Sequence, residues 1–170
     1  MGIFKIDADG LEWIGGTKDD PEDLCLHGRV RVQIGEKILE DHGTVSATAL
    51  YLLKSLKQDK VMSKADIQMI PCCGHFLMAN DDLSEVEISG CDYGTDWSII
   101  HDGDDVRLVL PSGYEERVDM EDYKREVFRF ADKIEEFYGS CSPKKLPDNE
   151  FERDGYTAFW NEWHHRRNER

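Results

Sequence analysis

No stretch of this chain is apolar for long enough to cross a bilayer as a helix, which takes about 20 residues, and the mean hydropathy is −0.60. A chain without a membrane span is expected. The first residues, MGIFKIDADG, lack the apolar region and cleavage site of a secretory signal. Ile6 stands where a myristoylation signal carries Ser or Thr. A cytoplasmic protein is the simplest expectation. The cysteines, Cys25, Cys72, Cys73, Cys91 and Cys141, are odd in number, and with no secretion signal they read as reduced thiols rather than a disulfide framework. The phosphate-loop, dinucleotide-loop, zincin and nucleophile-elbow motifs are all missing. Their absence argues against an enzyme of those classes. No internal repeat, low-complexity tract or clear domain boundary interrupts the chain.

Positive charge is also in short supply. Lys and Arg number 21 against 36 Asp and Glu, a formal charge of −15. Duplex binding needs several phosphate-neutralising cations, so nucleic acid is excluded as the expected direct ligand. An acidic field would instead steer a basic partner protein inward. The plainer meaning of the charge is solubility. A chain of 170 residues buries roughly 70% of its unfolded surface as one domain, so no metal, cofactor or disulfide is required to hold it.

The strongest pattern runs from residue 75 to 138. HFLMA and EVEIS read as short strands. TDWSIIHDGDDVRLVL reads as a hairpin about Asp102-Gly103, a dipeptide that tolerates the positive φ of tight hairpin turns. Trp97, Ile99, Val106, Leu108 and Leu110 then share one face, whichever residue heads the turn, because side chains alternate with period two. A third strand, 114–118, leads to Asp119, a carboxylate placed to cap a helix. Met120, Tyr123, Val127, Phe130, Ala131, Ile134, Phe137 and Tyr138 form that helix's stripe at steps of three and four, and Gly139 is its expected terminator.

Ahead of this region, Phe4–Asp7 and Leu11–Ile14 flank Ala8-Asp9-Gly10 as an expected hairpin. Residues 24–34 alternate cleanly, with Leu24, Leu26, Val30, Val32 and Ile34 on one face and Cys25, His27, Arg29, Arg31 and Gln33 on the other. Gly35-Glu36 turns this strand into a partner over 37–40. A helix is expected over 44–57. Residues 140–147 form a loop with two prolines. A last helix near 154–166 carries Tyr156, Phe159, Trp160 and Trp163 on one side. The expected architecture is α+β: one domain over 1–170, with an antiparallel sheet of hairpins and meander covered by about three helices.

Five features are candidates for function. Cys73, His75 and Cys91 offer thiolates and an imidazole to a metal or to nucleophilic chemistry. They lack paired C-x-x-C spacing, and the adjacent Cys72 and Cys73 are expected to pack as small hydrophobes. Asp102, Asp104 and Asp105 crowd a hairpin tip and would form an acidic rim for a cationic partner. His27, Arg29 and Arg31 could pair with carboxylates across a sheet or line an anion pocket. Asp7, Asp9 and Glu12 have the acidity of a calcium loop without its spacing. The aromatic stripe suits either core or a partner anchor. The leading functional expectation is a small acidic protein that masks a basic partner, as immunity and inhibitor proteins do. A metal- or cysteine-dependent enzyme using Cys73, His75 and Cys91, and a subunit of a homo-oligomer, are the alternatives.

Overall fold

The computed structural model describes residues 2–63, 67–73 and 76–169. The chain begins with β1 (Phe4–Glu12), β2 (His27–Ile34), β3 (Lys37–Thr44) and helix α1 (Val45–Ser55). Four short strands follow: β4 (Ile70–Pro71), β5 (Phe76–Ala79), β6 (Val86–Ser89) and β7 (Gly94–Thr95). The last part holds β8 (Ser98–Asp102), β9 (Asp105–Val109), β10 (Glu115–Asp119), α2 (Met120–Ser140) and α3 (Glu150–Asn168). The fold is α+β with antiparallel pairing throughout, as expected. The strands form four separate sheets, ordered β1-β2-β3, β10-β9-β8, β4-β7 and β5-β6.

The first sheet follows directly from alternation. Phe4, Ile6 and Ala8 lie opposite Ile34, Val32 and Val30, and all six side chains are buried. That match corrects the expected opening hairpin. Ala8-Asp9-Gly10 does not reverse the chain; β1 runs on, with a register shift between Asp9 and Glu12 and Gly10 at φ 60°. Long-range pairing along β2 therefore prevails over the local turn signal, which becomes a bulge. The strand brings Trp13 into full burial just beyond its end. Likewise β3 extends to Thr44, where only residues 37–40 had a strand pattern.

α1 starts where β3 ends. Thr44 makes no side-chain cap, but the Val45 N–H donates to Leu26 O at 2.8 Å and the Ser46 hydroxyl accepts from Leu26 N–H at 3.2 Å. The helix is buried around most of its girth, from Val45 to Leu53 apart from Tyr51, so its hydrophobic stripe understates its burial. α2 has the expected cap, with the Asp119 carboxylate accepting from the N–H groups of Glu121 and Asp122 at 3.0 Å each. Its stripe packs on α1 and β1: the Tyr123 and Ser55 hydroxyls are 2.7 Å apart, and the Phe4 and Tyr123 rings lie 4.8 Å apart. Gly139 falls inside the last turn rather than after it, and the Cys141 N–H closes the helix on Tyr138 O at 3.2 Å.

The β8–β9 hairpin has Asp102 opposite Asp105, so Gly103 and Asp104 are the central residues, one place later than Asp102-Gly103. Gly103 has φ 66°, as the first position of a type II′ turn requires. The partner shifts by two, so the faces are unchanged: Trp97, Ile99, Val106 and Leu108 are all fully buried.

α3 is longer at both ends than expected because Asn149 caps it, accepting from Glu152 N–H at 3.2 Å. Tyr156, Phe159 and Trp163 belong to the interior, and Trp160 is half-buried at the centre of an aromatic cluster. Its ring meets those of Tyr138 at 5.0 Å, Trp163 at 5.3 Å and Phe159 at 5.4 Å. Gly155 lets α3 lie on β5: a Cβ there would sit 1.9 Å from Leu77 O. Glycine within a helix costs about 1 kcal/mol relative to Ala, and the contact it permits outweighs that cost.

Trp163 is fully buried and its indole N–H donates to Glu135 Oε1 at 2.6 Å, so Trp163→Ala should lower unfolding stability by about 3–5 kcal/mol in urea titration; a loss under about 1 kcal/mol would place the stripe outside the core. Burial pushes the Glu126 carboxyl upward, but hydrogen bonds from Lys5 and Arg129 outweigh it and hold the group below its ordinary 4.5. Its contribution is complete above that pH and is lost as pH falls through the lowered folded value. Glu126→Gln should therefore show a shallower loss of stability on acidification than wild type, read as denaturation midpoint against pH.

Candidate functional site

The three acidic residues of the hairpin tip do not stand as a bare rim. Asp102 is paired with Arg117 and lies 3.8 Å from Arg107 Nε, and Asp105 lies 3.3 Å from Arg117 Nη1. β9 and β10 supply both arginines, one strand-width from the turn. Asp104 alone has a carboxylate without a cationic partner among the described residues, and its carbonyl accepts the Met120 N–H at 2.9 Å. Several other surface charges of the first sheet are also paired, although Arg31 of β2 is exposed and makes no ion pair among the described residues. Arg29 donates to both oxygens of Asp9 at 3.0 and 2.9 Å, and Asp7 accepts from Lys133 at 2.7 Å. Cross-strand pairing thus accounts for Arg29 and Asp9, and a lysine of α2 for Asp7.

The cysteines separate into two groups. Cys25 and Cys141 lie apart from the rest. Burial, with the nearby Asp23 charge, pushes the Cys25 thiol up to about 12, which leaves it protonated and a poor nucleophile. Cys72, Cys73 and Cys91 converge, their sulfurs all within 4.8 Å of one another. Cys72 and Cys91 are joined as a disulfide, so not all thiols are reduced in this structure. Cys73 and Cys91 thus do meet; His75 lies outside the described residues.

A groove of about 660 Å³ is lined in part by Cys91 of this cluster. The C-terminal half of α1 forms one wall and β6 the other, with residues 58–61 at one end and 90–92, including Cys91, at the other. Side chains fasten the β6 wall. Glu162 of α3, 1% exposed, accepts the Val86 N–H at 2.9 Å, lies 3.2 Å from Lys54 Nζ and takes Arg166 at 2.7 and 2.8 Å. Lys54 also donates to Val86 O at 2.7 Å, and the Tyr51 hydroxyl donates to Ile88 O at 3.3 Å. The second edge of β6 is therefore bound by α1 and α3 rather than by another strand.

These bonds decide the groove's charge. Of its two lysines, Lys54 is engaged by Glu162 and Val86, and Lys60 is paired with Asp96. Glu85, Glu87 and Asp92 on the opposite wall are exposed and have no cationic partner among the described residues. Asp59 at the end accepts from the His101 backbone N–H at 2.8 Å, and its carboxylate lies 2.7 Å from His101 Nδ1. Those hydrogen bonds hold its carboxyl below the ordinary range, so it too is ionised at neutral pH. The groove can receive cationic side chains at its rim and apolar ones against Tyr51, Ile67 and Met78.

No protein-family model, curated protein or solved structure matches this chain. Sequence reasoning did not find Glu162, Lys54 or the carboxylates of residues 85–92. The i,i+4 spacing of Glu162 and Arg166 is legible, but that of a surface pair is identical. Glu162→Gln should leave Arg166 and Lys54 without their counter-charge in a buried place, costing about 3–5 kcal/mol. Hydrogen exchange of the Val86 amide should rise with it, since that N–H loses its charged acceptor; an unchanged Val86 rate would remove Glu162 from this role.

Proposed function

We propose that this is a cytoplasmic acidic binding protein that docks a basic segment of a partner protein in the groove beside β6 and so masks it, in the manner of immunity and inhibitor proteins. The observation that carries this reading is the division of charge in the groove: both lysines are committed to internal partners, while Glu85, Glu87 and Asp92 face solvent uncompensated. A net charge of −15 adds a long-range field that would speed encounter with a cationic partner. The groove's volume of about 660 Å³ accommodates a few side chains, the scale of an anchoring segment rather than a whole interface. The tip carboxylates Asp102, Asp104 and Asp105 contribute to that field, with Asp102 and Asp105 already screened by Arg107 and Arg117.

A fluorescein-labelled peptide of alternating Arg and Leu is a suitable probe. Anisotropy titration should show binding that weakens steeply between low and physiological salt, because exposed charges are screened over about 10 Å at 0.1 M. Reversing the rim with Glu85→Lys, Glu87→Lys and Asp92→Lys should weaken binding by more than tenfold, mainly through the on-rate. The Asn triple variant at Asp102, Asp104 and Asp105 should have a smaller effect. Equal affinity in wild type and the Lys variant, or no dependence on salt, would overturn the reading.

A further inference from the structure

The convergence of Cys72, Cys73 and Cys91 has its origin in one short ladder. β4 and β7 pair through Ile70 opposite Thr95 and Pro71 opposite Gly94, and the Cys72 N–H extends the ladder by donating to Tyr93 O at 3.0 Å. Residue 72 therefore faces residue 93, and Cys91 is carried back toward Cys72 and Cys73. The ladder is tightly held. A Cβ on Gly94, whose φ is +146°, would sit 2.2 Å from Ile70 O, and one on Gly43 of β3 would sit 2.3 Å from Pro71 O. The Thr95 hydroxyl ties the other side to Asp41 of β3 at 2.8 Å. Close backbone packing on both sides fixes where the three cysteines point.

The sulfur of Cys73 lies 3.0 Å from that of Cys91 and 3.6 Å from that of Cys72. A disulfide accounts for two sulfurs and leaves the third pressed against them. The Cα atoms of Cys72 and Cys91 are 7.0 Å apart, just beyond the range of about 4.4–6.8 Å that a disulfide usually spans. A metal–thiolate bond of about 2.3 Å places the sulfurs of a tetrahedral set about 3.8 Å apart, and here all three already lie within 4.8 Å. All three residues are half-buried, shielded enough to favour thiolate–metal bonds and open enough for an ion to enter.

We infer that, in the reduced chain, Cys72, Cys73 and Cys91 form a three-thiolate site for a soft divalent cation of the zinc class. The chemistry balances in two steps. A dithiol reductant gives two electrons and two protons to the Cys72–Cys91 bond and leaves as its own disulfide. The three thiols then bind one Zn²⁺ and release three protons. Thiolate sulfur selects zinc over magnesium or calcium, and one position of the tetrahedral ion stays for a further ligand. Such an ion would join residues 72–73 to residue 91, the Cys91 end of the groove. The site rests on the thiol geometry alone and stands or falls independently of the docking reading.

The test uses the full chain, reduced under anaerobic conditions and titrated with Zn²⁺ or Co²⁺ alone. Wild type, Cys25→Ser and Cys141→Ser should each hold one zinc per chain by elemental analysis. With Co²⁺ they should show sulfur-to-cobalt charge transfer and the strong visible bands of tetrahedral cobalt. Cys72→Ser, Cys73→Ser and Cys91→Ser should each bind at least tenfold more weakly. Should those variants fail to fold, wild-type alkylation mapped by mass spectrometry decides the matter: zinc should protect Cys72, Cys73 and Cys91 and leave Cys141 unaffected. Equal alkylation with and without zinc overturns the inference. So does a Cys72–Cys91 disulfide that survives excess reductant.

Discussion

The buried carboxylate of Glu162 is the interaction that ties the β5–β6 sheet to α1 and α3. It lies on α3, accepts an N–H from β6, pairs with a lysine of α1 and is held by Arg166 one turn on. A buried charge is tolerated only when its lone pairs are occupied, and here each oxygen has at least two donors. The same bonds settle a second problem. β5 and β6 form an isolated two-stranded sheet, which is marginal alone, and Glu162, Lys54 and Tyr51 supply donors and an acceptor that a third strand would otherwise provide. Gly155 brings α3 onto Leu77 closely enough for Glu162 to reach.

The groove follows from this arrangement. Because α1 and α3 hold β6 by side chains rather than by a neighbouring strand, a gap remains between α1 and β6 where another strand would lie. Its two lysines are engaged by Glu162 and Asp96, and its outward carboxylates remain. The hairpin tip illustrates the opposite case. Its cluster of aspartates is conspicuous in the sequence, yet cross-strand arginines neutralise most of it. A local density of acidic residues is thus a poor guide to where an acidic surface lies; pairing across strands decides it.

Cys72 and Cys73 were expected to pack as small hydrophobes. The chain is not extended there. The Cys72 N–H still bonds to Tyr93 O, but the chain bends at this residue, and both sulfurs reach Cys91. Gly43 and Gly94 allow the backbone approach that brings this about, and neither glycine carried a sign in the sequence of what it would touch.

Residues with a period were legible in the sequence: the alternation of 26–34, the shared face of Trp97, Ile99, Val106 and Leu108, the stripe of α2 with its Asp119 cap, and the aromatic side of α3. Each pattern is set by burial on one face, and burial needs only a period of two or 3.6 to be declared. Tertiary structure alone decided the rest. Whether Gly10 turned or bulged depended on the length of pairing available along β2. Whether Asp102 was a docking charge or half of an ion pair depended on strand register. Whether Glu162 was a surface residue or a buried clamp depended on where α3 lay. Electrostatic and hydrogen-bonding roles are made between residues distant in sequence, such as Glu162 with Val86 and Cys73 with Cys91, and no local period records them.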